Sequence, residues 1–318
     1  MIQSFDVSKA AFHFASVGRR PWVTFLTYAG ILLAYSLVLT GGFVALFLGV
    51  GGFAVLEAVV TETWNDELIG FALAFGAASI LAVIISAALW AVMETAALRY
   101  FFEQRFALGF GVQELRTLII GLLWTLIGFV ILGAYVLFTI GLLSVTGAGP
   151  DFAQISFASL LLLPFLAFLL IVSVRYSPAS ALTYSEGRVL FTSARQATRG
   201  RAWSLLGAFV IILAIVFAVA IAVETVFQIA FVGVMALNLE AFAGFEGTND
   251  PDEAADIAIS VLTNPLILIS LVTYYVFRGV VTAAQTWAFL GANALAVKTK
   301  DDPRIDPLAS DGAPTPLT

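Results

Sequence analysis

The sequence predicts an all-α polytopic membrane protein, with six transmembrane helices, cytoplasmic interfacial amphipathic helices and a three-fold helix-hairpin repeat. Three features point there. Of the 318 residues, 61% are hydrophobic and 11% charged, whereas soluble domains are roughly half apolar and a quarter charged. The apolar residues collect in six runs, each long enough to cross ~30 Å of hydrocarbon at ~1.5 Å per residue. All 15 Lys and Arg residues group in alternate segments, between those runs or, for Arg116 and Arg278, within the adjoining part of a run.

The runs extend roughly from Pro21 to Val50, Leu68 to Met93, Leu115 to Leu143, Phe152 to Val174, Trp203 to Leu237 and Thr263 to Gln285. Several exceed the minimum for a span, so tilt or protruding ends are expected. In the first run, Gly41-Gly42 and Gly49, Gly51 and Gly52 predict a bend or an interfacial segment.

The basic residues are Lys9, Arg19 and Arg20, then Arg99, Arg105 and Arg116, then Arg175, Arg188, Arg195, Arg199 and Arg201, and finally Arg278, Lys298, Lys300 and Arg304. The intervening connections carry acids without Lys or Arg: Glu57, Glu62, Asp66 and Glu67, then Asp151, then Glu240, Glu246, Asp250, Asp252, Glu253 and Asp256. Lys and Arg are retained on the cytoplasmic side during insertion, so both termini are expected there, in a bacterial inner (plasma) membrane. The first run begins at Pro21 and is longer than a signal-peptide core, which predicts an uncleaved anchor. The expected organisation is a cytoplasmic amphipathic segment (1–20), a transmembrane domain (21–297) and a disordered cytoplasmic tail (298–318) with Pro303, Pro307, Pro314 and Pro316.

Residues 5–17 read as an amphipathic helix with Val7, Ala10, Ala11 and Phe14 on one side and Lys9 and His13 on the other. A second such helix is expected between a capping box at Thr183 and Glu186 and a stop at Gly200, with Leu190, Ala194 and Ala197 at helical period. Along it Arg188, Arg195 and Arg199 form a stripe. With Arg201 they are the expected contacts to anionic lipid headgroups, each contributing ~1 kcal/mol near a charged surface. The stretches "GRRPWVTFLTYAGILL" and "TRGRAWSLLGAFVIIL" match in arrangement, and "GFGVQELRTLIIGLLW" is a degenerate third copy, which suggests three units of interfacial helix plus two spans. Between the fifth and sixth runs, "NDPDEAADIAISVL" predicts a short helix capped by Asn249 or Asp250, with Pro251 in its first turn.

Much chemistry is excluded. Without cysteine there is no disulfide, thiolate or Cys-ligated metal, and a lone His13 provides no histidine cluster. No Walker, GxSxG or HExxH motif occurs. Neither enzymatic activity, a cofactor nor a nucleic-acid partner is expected. The acidic group Asp250, Asp252, Glu253 and Asp256 lacks EF-hand spacing and reads as a solvated loop or a weak cation site.

Small residues recur every four positions at Gly70, Ala74, Ala78, Ala82 and Ser86, a line continued by Trp90 and Glu94, and again at Ala214, Ala218 and Ala222. Such rows pack helices within one chain or across a homodimer.

Glu224 is the acid inside a long apolar run, with Gln228 one turn later, and forms either a coupling-ion or substrate site or a hydrated carboxylate at the outer boundary. It lies 21 residues past Trp203, about 31 Å at ~1.5 Å per residue. Arg278 approaches from the other direction, so depth argues against pairing it with Glu224 and leaves snorkelling or a pathway role. Glu94, Arg99, Glu114, Arg116 and Arg175 collect near the inner face as ion pairs or as a lipid-headgroup pocket.

The stretches "SEGRVLFTSARQATRGRAWSLLGAFVI" and "FDVSKAAFHFASVGRRPWVTF" resemble a group of bacterial six-span integral membrane proteins, and are similar to the membrane domain attached to some glycerophosphoryl diester phosphodiesterases. The stretch "METAALRYFFEQRFALGFGVQELRTLIIGLL" resembles alphaproteobacterial membrane proteins, which extends the likeness over residues 4–297. The resemblance implies a membrane architecture and carries over no catalytic residue, and no segment between the spans is long enough for the soluble phosphodiesterase domain. The leading expectation is a non-enzymatic membrane-organising protein that binds anionic lipid or a protein partner. The alternative is a transporter or permease for a small solute or lipid.

Overall fold

The computed structural model describes residues 5–18, 20–49, 66–145, 165–237 and 264–300. The described residues are mostly helical and contain no strand. They form α1 (Val7–Ala11), α2 (His13–Ser16), α3 (Pro21–Gly49), α4 (Asp66–Glu103), α5 (Val112–Val145), α6 (165–176), α7 (Ala179–Glu186), α8 (Ala194–Ala197), α9 (Ala202–Leu237) and α10 (Pro265–Lys298). Six helices are long and apolar enough to cross a membrane, the fourth being α6 and α7 joined through a turn at Ser177–Pro178. Their surfaces are apolar where they are exposed, as at Val83, Leu137, Phe217 and Ile229, which is the pattern lipid rather than water demands. The chain is an all-α, multi-pass membrane protein.

The helices do not stop where the apolar runs stop. α4 continues ten residues beyond Met93 and α10 thirteen beyond Gln285. α3 stays helical through Gly41-Gly42, because a glycine costs only ~1 kcal/mol in a helix whose neighbours hold their hydrogen bonds. The predicted amphipathic helix over 183–200 is not one helix. α7 starts after Pro178, whose fixed φ suits a helix start, and ends at Gly187 (φ 65°), whose N–H returns to the Thr183 carbonyl. Thr183 therefore lies in the last turn, where its hydroxyl accepts from the Leu190 N–H at 3.1 Å. Short helices precede α3 and α9, but none precedes α5, so the degenerate third copy lacks that part of the repeat.

By compactness the chain divides into two units. Unit 1 comprises 1–21, 87–212 and 287–318; unit 2 comprises 22–86 and 213–286. Unit 1 has a dense core in which Trp287 lies 4.9 Å from the Phe101 ring and 5.4 Å from the Tyr100 ring, with Met93, Leu98 and Leu205 buried. The N-terminal helices belong to it. Asp6 caps α1 by accepting the Ser8 N–H at 2.8 Å, and this bonding with Ser8 and Lys9 holds its carboxyl below the usual range. Ala10 and Ala11 are buried. Val7 sits over Gly207, where a Cβ would come within 3.2 Å, and the Phe14 backbone lies over Gly291, 3.2 Å from a Cβ there.

In unit 2, α3 meets α4 through Tyr35 and Ser86, 2.5 Å apart, and through the Phe43–Phe75 and Phe47–Phe71 ring pairs. It meets α10 where Leu33 covers Gly279 and Thr40 bonds Tyr275 at 3.2 Å. Ser86 thus brings part of the first small-residue row into a seam. Ala214, Ala218 and Ala222 are exposed, so no described helix packs closely on that second row.

Candidate functional site

The connection from α6 to α9 carries the strongest concentration of unneutralised charge among the described residues. Its framework rests on Thr198, which is buried and whose hydroxyl is within hydrogen-bond distance of two carbonyls, Arg175 at 3.2 Å and Arg195 at 3.1 Å. Gly200 follows with φ 71°, a conformation glycine adopts freely, and turns the chain into α9. Arg201 is buried, and its guanidinium donates to the Thr299 hydroxyl at 2.8 Å and to the Lys300 and Ala296 carbonyls at 3.1 and 3.4 Å. It thereby bonds the C-terminal end of α10, where carbonyls lack helical partners and a cation is favoured.

Arg175, Arg195 and Arg199 remain facing a cavity of about 540 Å³, shared with Gln196, the first residue of α9 and Trp203. The ion pairs among the described residues lie elsewhere, Arg99 with Glu114 and Lys300 with Glu186. The cavity thus joins three arginines to the N-terminal turn of a 36-residue helix, an end that also attracts anions. Trp203 at its edge is 81% exposed.

The expected headgroup contacts are therefore divided. Arg195 and Arg199 face the cavity, Arg201 is spent on α10, and Arg188 is exposed away from the cavity lining. They lie on no common helix, because Gly187 ends α7.

The expected inner-face cluster also separates. Arg99 pairs with Glu114, which is buried in the first turn of α5, and donates to the Ala107 carbonyl at 2.9 Å, holding the link from α4 to α5. Glu94 is buried apart from them and bonds Ser180. Arg116 stays beside Gln113 at 3.5 Å, and Arg175 turns to the cavity. Unforeseen in the sequence is Lys298, which donates to the Phe101 carbonyl at 2.6 Å near the C-terminus of α4. The overrun of α4 and α10 past their apolar runs is the signal that would have found it.

Depth reasoning failed for Glu224 and Arg278. Tyr274 donates to the Glu224 carboxylate at 2.9 Å and accepts from Arg278 at 2.8 Å, so one phenol links the two charges. Glu224 lies 13 residues before the end of α9 and Arg278 13 residues after the start of α10, so antiparallel packing puts them level. Counting from Trp203 misled because α9 is 36 residues long, ~54 Å at ~1.5 Å per residue, well beyond a ~30 Å span. Gln228 is exposed. Next to Tyr274, α9 and α10 enclose an apolar groove of about 410 Å³ lined by Ala222, Phe227, Ile269 and Phe277.

His13 leaves the polar face assigned to it. Its ring lies 6.3 Å from Phe101, with Nε2 buried and without a hydrogen-bond partner. Burial pushes the imidazole down to about 4, and the Lys298 charge adds to the shift.

No group of His, Asp or Glu able to hold a metal occurs among the described residues. Asp250, Asp252, Glu253 and Asp256, and the helix expected with them, lie outside the described residues, as does the tail from Asp301. No protein family matches the chain, and neither a curated protein nor a solved structure is similar to it.

Proposed function

We propose that the protein is a non-enzymatic component of a bacterial inner membrane, with both termini in the cytosol, that binds anionic lipid headgroups at its cytosolic end. The observation that carries this reading is the cavity shared by Arg175, Arg195 and Arg199, which have no acidic partner among the described residues. Charge distribution supports the orientation: of the 15 Lys and Arg residues, all but Arg278 belong to unit 1, and such residues are retained in the cytosol during insertion. Three arginines unpaired with acids among the described residues, next to an exposed tryptophan, match an anionic membrane surface in both charge and polarity. Native mass spectrometry of the purified protein, with lipid extraction, is the test. Anionic lipid retained by the natural chain and lost when the three arginines become Gln is the expected result. A natural chain that retains none overturns the reading.

A second reading, a permease for a small solute or lipid, is favoured by the Glu224–Tyr274–Arg278 chain within long apolar helices, since polar groups at such depth mark transport paths. Transport of a fluorescent lipid or small solute into proteoliposomes that is abolished by Glu224→Gln supports it. Flux equal to that of protein-free vesicles contradicts it.

A further inference from the structure

We propose that the cavity of Arg175, Arg195 and Arg199 is a phosphomonoester site, specific for a terminal phosphate carried on a lipid, with Thr198 as its positioning residue. This rests on the reading of the cavity as an anionic-headgroup site and names the headgroup.

The charge and geometry of the site separate a monoester from a diester. A guanidinium is a planar fork that binds two oxygens of one phosphate edge. A phosphodiester, the commoner headgroup linkage, has one negative charge and two free oxygens, hence a single such edge. A phosphomonoester carries about 1.5 to 2 negative charges at pH 7 and three free oxygens, which define three edges. The cavity is lined by three arginines and, among the described residues, by no acid. One edge leaves two guanidiniums without a partner; three edges engage them all. The first-turn amides of α9 add donors on the same side.

Thr198 fixes the backbone of two of the three arginines, whose side chains are exposed. The carbonyls of Arg175 and Arg195 come from α6 and α8, 20 residues apart in sequence, and the buried Thr198 hydroxyl shares its one proton between them. A backbone held in place leaves less freedom to lose on binding. Trp203 at the mouth, and the apolar run of α9 that follows it, place hydrocarbon beside the phosphate site, which fits a lipid-borne phosphate better than a free one.

The test uses the full chain in phosphatidylcholine nanodiscs containing either phosphatidic acid, a monoester, or phosphatidylglycerol, a diester, read by native mass spectrometry of the ejected complex. Inorganic phosphate is added as a soluble competitor. The expected result is at least about tenfold preference for phosphatidic acid, lost by about tenfold in Arg195→Gln or Arg199→Gln. Arg195→Lys keeps charge and fold but not the fork, and should bind both lipids about equally. Thr198→Val keeps all three guanidiniums and should reduce the preference several-fold. Equal binding of both lipids by the natural chain, with loss of both in Arg195→Gln, overturns the monoester proposal and leaves the headgroup reading standing. Binding of neither overturns both. Inorganic phosphate that displaces phosphatidic acid at equal concentration overturns the lipid source and keeps the phosphate chemistry. Unchanged preference in Arg195→Lys overturns the fork matching, and in Thr198→Val the positioning role.

Discussion

Tyr100 of α4 donates its hydroxyl to the Val17 carbonyl at 2.5 Å, fixing the chain where α2 ends and α3 is about to begin. The next residue, Gly18, has φ 78°, and a Cβ there would come within 2.7 Å of the same hydroxyl. Glycine is required twice over, by the backbone conformation and by the phenol lying on it.

Gly18→Ala is therefore expected to lower stability by about 1–3 kcal/mol, and Tyr100→Phe by about 1 kcal/mol. The double variant should lose less than the sum, because the two residues meet. Thermal unfolding in detergent checks this; a neutral Gly18→Ala contradicts the turn.

Protonation of His13 should loosen α1 and α2. Its folded-state value of about 4 lies below the ordinary 6.5, so between these the unfolded segment binds a proton that the folded one refuses. Stability is then full above about pH 6.5 and falls as pH drops toward 4. Discounted for partial exposure, the loss is ~1–2 kcal/mol. Hydrogen-exchange protection across residues 5–17, taken relative to the intrinsic rate at each pH, should fall over that window in the natural chain and not in His13→Phe. An equal fall in both contradicts the assignment.

Tyr274→Phe removes the group that joins Glu224 to Arg278. Hydrogen bonds between membrane helices contribute about 0.6–1.7 kcal/mol each, so a loss of roughly 1–3 kcal/mol is expected in mixed-micelle unfolding. The Phe227–Tyr274 ring contact at 4.2 Å should survive, and fluorescence quenching by a lipid probe in the groove should change little. A stability equal to that of the natural chain contradicts the bridge.

Arg201→Ala should destabilise the junction of α9 and α10 by about 2–4 kcal/mol, since it strips a buried cation and leaves carbonyls at the end of α10 without a donor. Arg201→Lys should recover part of it. Exchange at residues 295–300 is the measurement, and unchanged protection there contradicts the clamp.

The number of spans was legible because hydropathy over ~20 residues reports the lipid path directly; of the fourth run, Phe152 to Val174, only the part from Phe165 lies among the described residues, and the span there extends to Glu186. Helix ends were not. The reading stopped near Met93 and Gln285, where polar residues begin, yet the buried part of unit 1 is built from the continuations that carry Glu94, Phe101, Trp287 and Asn293. Polar residues there are paired with one another, as Ser177 is with Asn293 at 2.9 Å, and single-sequence hydropathy scores such pairs as solvated. The spacing of Thr183 and Glu186 mimicked a capping box, but Pro178 and Gly187 determine where α7 starts and stops. Arg175, assigned to one cluster, and Arg195 and Arg199, assigned to another, meet only because Thr198 folds their segments together. That is a tertiary contact with no period in the sequence.

Because the chain has no cysteine, the side of the membrane occupied by each end can be read with single introduced thiols. Ser185, exposed near the Glu186–Lys300 pair of unit 1, and Thr248, in the connection without Lys or Arg, are suitable positions. With a membrane-impermeant maleimide on intact spheroplasts, Thr248→Cys should react at once and Ser185→Cys only after permeabilisation. Labelling of Ser185→Cys from outside would put the arginine cavity on the wrong face of the membrane and contradict the proposed orientation.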